Sequence, residues 1–333
     1  GILDIKTTIL PNADALFLTA IDKYGHELWR WTFPVDKLNQ TNEVFSPLSG
    51  KATYSETENE LTVKAKNHTF IFSKRDGQLK GVSVNNHKIS FANGPRFIGA
   101  RRADRSLDQF YNHDDEKAKE KDRTYSEFPD AAVFTKLEVK EDGGNLIVTA
   151  NYKLGNLDKA QWTINPNGEA ALDYTYNFSG VVDLIGISFD YPEDQVISKR
   201  WLGAGPYRVW QNRIHGTQYD VWENDYNDPI PGETFTYPEF KGYFDSVSWM
   251  NIRTKEGTIS LTNETPDSYI GVYQPRDGRD RLLYTLPESG ISVLDVIPPV
   301  RNKVNSTDLC GPSSQPKWVN GPQTGRIIFR FME

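Results

Sequence analysis

Between positions 201 and 249 the chain gathers the side chains that sugar-binding surfaces use. Tyr207, Trp210 and Trp222 could supply flat faces for sugar C–H groups, Arg213 a fork of donors and Glu239 an acceptor. The segment also holds Trp201, Tyr219, Tyr226, Phe235, Tyr237, Phe240, Tyr243, Phe244 and Trp249, and such crowding also suits loops buried against a sheet or a neighbouring domain. Both readings stay open at this point.

Other candidate constellations are weaker. Asp104, Asp108, Asp114, Asp115 and Glu116 offer oxygen ligands, but their spacing is not an EF-hand loop, and Lys117, Lys119 and Lys121 neutralise them. A solvated charge run is the expectation, with no metal and no cofactor. Cys310 is the single cysteine, which excludes an intrachain disulfide and a cysteine-built zinc site; it reads as a small buried residue, not a reactive thiol. The five histidines, His26, His68, His87, His113 and His215, share no motif. The sequons at Asn67-His68-Thr69 and Asn263-Glu264-Thr265 are short enough to arise by chance, so no glycosylation is inferred.

The elements that must position these residues read as strands. In Arg200-Trp201-Leu202-Gly203-Ala204-Gly205-Pro206 a bulky pair ends a buried strand, Gly203 and Gly205 allow positive φ or close backbone approach, and Pro206 stops the ladder. Period-two alternation marks Glu60–Lys66, Thr69–Ser73, Asn145–Tyr152, Ala170–Phe178, Gly257–Asn263 and Arg326–Phe331. Only Asp114–Lys121 hints at a helical period, and its charge all round favours a solvated loop or short helix. An all-β chain follows, of the sandwich or closed-sheet kind.

Near the start, Ala15–Ile21 and Glu27–Phe33 read as two strands joined by the turn Asp22-Lys23-Tyr24-Gly25-His26. Two strands do not make a stable domain. Residues 1–40 are therefore expected to be the last strands of a small sandwich, 41–50 a linker with Pro47, Ser49 and Gly50, and 51–333 one large β domain.

Composition narrows the partners. With 38 basic and 45 acidic residues the formal charge is −7 and the cations are scattered, which argues against nucleic acid. No apolar run approaches the ~20 residues of a membrane helix, so no membrane partner is expected. Gly1-Ile2-Leu3-Asp4 lacks a signal-peptide pattern and the chain has no initiator Met, so it reads as a trimmed segment. A periplasmic or extracellular setting is favoured over the cytoplasm, without being fixed by the cysteine count.

The order of blocks resembles the C-terminal portion of glycoside hydrolase family 2 β-galactosidases. A strand, turn and strand at Thr69–Leu79 is followed by Gly94–Asp104, which is similar to the family's Arg-Ala-Pro-x-Asp-Asn-Asp, then by Trp-x-Gly-x-Gly-Pro at 201–206, Arg213, and Tyr237-Pro238-Glu239 with Gly242. The resemblance implies a galactose-mutarotase-like antiparallel β-supersandwich, preceded by a small β-strand segment from an immunoglobulin-like domain. It also implies a carbohydrate partner, a β-galactoside or related glycan, and a catalytic barrel elsewhere in the parent protein.

The resemblance implies that loops 96–116, 203–213 and 306–312 reach the rim of the sugar pocket, and the candidate carbohydrate-binding or rim residues are Arg102, Asp104, Tyr207, Trp210, Arg213, Trp222, Glu239 and Asp308. The glycosidase carboxylate pair lies on the family's barrel. No βα alternation that could build a barrel occurs here, so the chain alone is expected to be inactive on glycosides. The sequence departs from the family in several places: Cys310 stands where a sugar-stacking Trp is expected, Gly99 and Arg101 replace Arg and Pro, and Tyr207–Asn212 differs from Glu-Asn-Tyr-Pro-Asp. An independent carbohydrate-binding module is one alternative. A mutarotase-like epimerase using His215 and Glu239 as acid and base is another.

Overall fold

Successive side chains alternate across a strand, so the period-two segments must bury one row each, and they do so between two large sheets. The structure, a computed structural model, describes residues 2, 4, 6, 13–35, 45, 49–102, 125–225, 242–272, 289–299 and 311–333. In chain order the strands begin with β1 (Ala15–Ile21), β2 (Glu27–Pro34), β3 (Thr53–Glu56), β4 (Glu60–Ala65), β5 (His68–Ser73), β6 (Leu79–Val84), β7 (His87–Ile89) and β8 (Ala92–Arg102). They continue with β9 (Tyr125–Glu127), β10 (Val133–Asp142), β11 (Asn145–Lys153), β12 (Leu157–Ile164), β13 (Ala170–Val182), β14 (Leu184–Asp190) and β15 (Val196–Gly205). The last are β16 (Gln218–Asp225), β17 (Phe244–Asp245), β18 (Trp249–Thr254), β19 (Gly257–Asn263), β20 (Tyr269–Val272), β21 (Ile291–Val296) and β22 (Lys317–Met332).

A nine-stranded sheet runs β10-β11-β12-β13-β22-β19-β18-β15-β16, and an eleven-stranded sheet runs β17-β20-β21-β14-β8-β6-β5-β4-β3 with β7 on β6 and β9 on β8. The strand pairings are antiparallel throughout the described residues. Among those residues the remaining regular elements are single 3₁₀ turns. The chain is an all-β antiparallel supersandwich.

The rows facing inward are large and apolar. Phe72 and Phe189 from one sheet, with Phe91 between β7 and β8, meet Trp162, Phe329 and Phe331 from the other, with ring centroids 5.1 to 6.1 Å apart across the layer. Each of these rings is at most 2% exposed, and such burial is worth about 1.5–3 kcal/mol per side chain. Polar latches join the sheets as well. His68 Nε2 on β5 lies 2.8 Å from the Phe331 carbonyl oxygen on β22 and donates to it. The Glu256 carboxylate, in the β18–β19 turn, accepts from the Ser90 amide, the Ser90 hydroxyl and the Tyr191 hydroxyl at 2.9, 2.6 and 3.0 Å.

β1 and β2 form a two-stranded sheet of their own. Asp22 Oδ1 accepts from the amides of Tyr24 and His26, and Gly25 takes φ +87°, so the turn chemistry expected from the sequence is present. The register sets Leu16, Leu18 and Ala20 opposite Phe33, Trp31 and Trp29, which places all six on one face. Trp29, Trp31 and Phe33 remain 50%, 44% and 49% exposed. From the other face Arg30 reaches Asp220 of β16 at 3.7 Å. Ahead of β3, the Phe45 carbonyl accepts from Asn145 Nδ2 at 2.9 Å, and the Arg326 guanidinium lies 5.8 Å from the Phe45 ring.

Candidate functional site: a loop rim beside the strand 196–205

β15 ends at Gly205, the last residue laddered to β16, and the chain turns out at Pro206 into the rim loop. Neither glycine of this element needs a positive φ; both are required by close approach. A Cβ on Gly205 would stand 2.4 Å from Trp222 Cδ1, and one on Gly203 would stand 3.0 Å from the Asp245 and Ser246 carbonyl oxygens and from Val247 Cα. Trp201 is fully buried, donates its indole N–H to the Ala204 carbonyl at 3.0 Å, and packs edge-on against Phe244 at 4.9 Å.

The rim loop is fastened at both ends. Val209 and Tyr243 exchange backbone hydrogen bonds at 2.7 and 2.9 Å, Arg213 N donates to the Trp210 carbonyl at 2.8 Å, and Gln211 N donates to the Pro298 carbonyl at 3.1 Å. Gln211 Nε2 donates to the Gln315 carbonyl and Asn212 Nδ2 to Ser314 Oγ, which ties the loop to the segment entering β22. Gly242 lies under this bridge, where a Cβ would meet the Val209 carbonyl at 2.2 Å.

The loop separates the expected sugar-facing residues by burial. Tyr207 is 47% exposed and Arg213 is exposed, while Trp222 is half-buried with its indole N–H given to the Gln218 carbonyl at 3.0 Å. Trp210 is 2% exposed and packed edge-on against Tyr243 at 5.7 Å, so its ring supports the loop and has no free face. Trp201, Tyr243 and Phe244 are buried too, and for them core packing accounts for the aromatic crowding. His215 lies in an exposed turn. Asp104, Glu239, Asp308, Cys310, the acidic run from Asp104 to Glu116, and the side chain of Arg102 lie outside the described residues.

Two cations behind the loop escaped sequence reasoning. Lys199 is 1% and Arg208 7% exposed, and both charged groups lie 6.0 Å from the centroid of the Phe244 ring, near the limit of a cation–π contact. Lys199 stands two residues before Trp201, on the inward row of β15, and opposite the buried Asn224 of β16. Period two from Trp201 was the available signal. Tyr219 of β16 shares a 2.6 Å hydrogen bond with the Ser248 hydroxyl; burial, with a smaller push from Asp14, raises its phenol above the ordinary range, so it stays protonated near neutral pH.

Residues 64–290 match the model of a family described as beta galactosidase small chain. No curated protein matches. Among solved structures, a galactose 1-epimerase from Lactobacillus acidophilus NCFM is similar at 10% identity, over 86% of this chain and 99% of its own, with a TM-score of 0.47. An aldose epimerase homologue from C. elegans shows 8% identity over 85% and 99% with a TM-score of 0.38. A galactose mutarotase-like protein from Lactobacillus casei ATCC 334 shows 12% identity over 84% and 99% with a TM-score of 0.35.

Proposed function

The chain belongs to the beta galactosidase small chain family, and from that premise we propose that it is a non-catalytic β-supersandwich domain of a family 2 glycoside hydrolase. In this reading it packs on the catalytic barrel of its parent protein and shapes the rim of a site for a β-galactoside or related glycan. The observation that carries the reading is the 207–213 loop: it is bonded to Tyr243, Pro298 and Gln315, and it presents Tyr207 and Arg213 outward over a buried support. A loop held this firmly can place side chains at a pocket formed with another domain.

The apolar face of the β1–β2 hairpin fits the same arrangement. A free two-stranded hairpin is marginal in water, and six apolar residues on one face suit a covering sheet at about 10 Å. We assign that cover to further strands of an immunoglobulin-like domain, with residues 1–40 as its last strands and 41–50 as the linker. The rim role is tested in the complete enzyme by Tyr207→Ala and Arg213→Ala. A several-fold rise in KM for an aryl β-galactoside, with kcat less affected, is expected; unchanged KM in both variants would remove the rim assignment.

A further inference from the structure

Tyr243 leaves its bridge with Val209, and the next residues pass Gly203 and line a depression between β17, β19 and β20. This cleft has a volume of about 340 Å³, inside the ~300–1,000 Å³ range of small-molecule sites. Asp245, Asp267 and Tyr269 stand on its walls, and Ser246, Asn263, Thr265 and Ser268 form the rest of its polar lining. Among the described residues no lysine or arginine lines it.

The hydrogen bonds of the lining decide what a ligand must bring. Asn263 Nδ2 donates to Ser268 Oγ at 2.9 Å, Ser268 Oγ to the Thr265 carbonyl at 2.9 Å, and Thr265 N to Asn263 Oδ1 at 3.1 Å. The Thr265 hydroxyl donates to the Arg326 carbonyl at 3.2 Å, and Ser246 Oγ donates to Asp245 Oδ1 at 3.1 Å. The Ser246, Thr265 and Ser268 hydroxyls and the Asn263 amide are thereby engaged, and the rest of the polar lining is the acceptor-only Asp245 and Asp267 carboxylates and the Tyr269 hydroxyl. Burial, reinforced by Asp245 and Asp267, keeps the Tyr269 phenol above its ordinary range and protonated.

A ligand for this cleft must therefore be rich in donors. A metal ion suits it poorly, since among the described residues no three His, Cys, Asp or Glu side chains converge. Behind the lining, the Tyr174 hydroxyl is buried, with the residue 2% exposed, beside the Thr265 hydroxyl that engages it; the two crowd the same side of Gly325, at 2.3 and 2.6 Å from the position a Cβ would take.

We propose that this cleft binds a sugar ring, with the Asp245 and Asp267 carboxylates accepting from its neighbouring hydroxyls and Tyr269 orienting it. The inference rests on the carbohydrate reading above and adds a second subsite, next to the rim and joined to it by residues 243–247.

Titration of the 333-residue chain with D-galactose, followed by ligand-observed NMR, tests it. Binding is expected in the chain as it stands, with at least a tenfold loss in Asp245→Asn/Asp267→Asn and with no binding of per-O-methylated galactose, which has lost its donors. A thermal melt of the variant checks that it is folded; if it is not, the single substitution Asp267→Asn, at an exposed position, is read instead with a several-fold loss expected. Galactose binding that survives these substitutions but falls in Tyr207→Ala would place the sugar at the rim alone and overturn the subsite while sparing the rim. Absence of binding, or calcium binding in place of sugar, would overturn the subsite, and the KM measurements on the complete enzyme would still decide the rim.

Discussion

The indole of Trp222 lies against Gly205 so closely that a Cβ there would stand 2.4 Å from Cδ1 and 2.6 Å from Cγ and Nε1. The glycine is what lets the last rung of β15 pass beneath the ring. Gly205→Ala is expected to push the indole outward and destabilise the chain by about 1–3 kcal/mol, read as a lower urea midpoint with an altered tryptophan emission spectrum. An unchanged midpoint would show that the ring relaxes freely.

Gly242 faces a harder obstacle, because a Cβ there would stand 2.2 Å from the Val209 carbonyl oxygen. Backbone cannot swing aside as a ring can, so Gly242→Ala should break the Val209–Tyr243 bridge and loosen the rim loop. Limited proteolysis is expected to cut between 207 and 216 in this variant and not in the unsubstituted chain; equal protection would contradict the pinning of the loop.

The Glu256 carboxylate ties the β18–β19 turn to Ser90 and Tyr191 with three hydrogen bonds. Glu256→Ala leaves those donors without their charged acceptor. A loss of about 2–4 kcal/mol in denaturant unfolding is expected, given about 1.5–3 kcal/mol for one hydrogen bond to a charged group and incomplete additivity. A loss under about 0.5 kcal/mol, the scale of a neutral surface change, would show that the apolar layer alone holds the sheets together.

Asp295 of β21 accepts the Tyr176 hydroxyl across the layer. Burial raises its carboxyl pKa, and the Tyr176 bond opposes that only in part. A raised folded pKa means that the native state holds the proton more tightly, so this stabilisation is complete below the unfolded value of about 4 and fades as pH climbs through the folded value. Urea midpoints measured from pH 4 upward should fall more steeply in the unsubstituted chain than in Asp295→Asn. Parallel curves would contradict the assignment.

Much of this architecture is readable in advance because it is local. Asp22 and Gly25 announce the hairpin turn, alternation finds β4, β5, β11 and β19 to within a residue or so, and the glycines of 201–206 signal close approach before any neighbour is known. The site is less legible. Loop residues carry no period, so Trp210 and Tyr207 look alike in sequence although one is 2% and the other 47% exposed. Asp245 and Asp267 share a cleft only because β17 pairs with β20, a tertiary fact that no short motif encodes. Lys199 is hidden for a different reason: a lysine is expected at the surface, and only its place two residues from Trp201 says otherwise.

The proposed supporting role stands or falls on turnover of an aryl β-galactoside by the purified 333-residue chain, alone and after mixing with the catalytic barrel of the family 2 enzyme proposed as its parent. No turnover alone and recovery of activity on mixing is the expected result. Hydrolysis by the chain alone at the rate of the reconstituted mixture would contradict it.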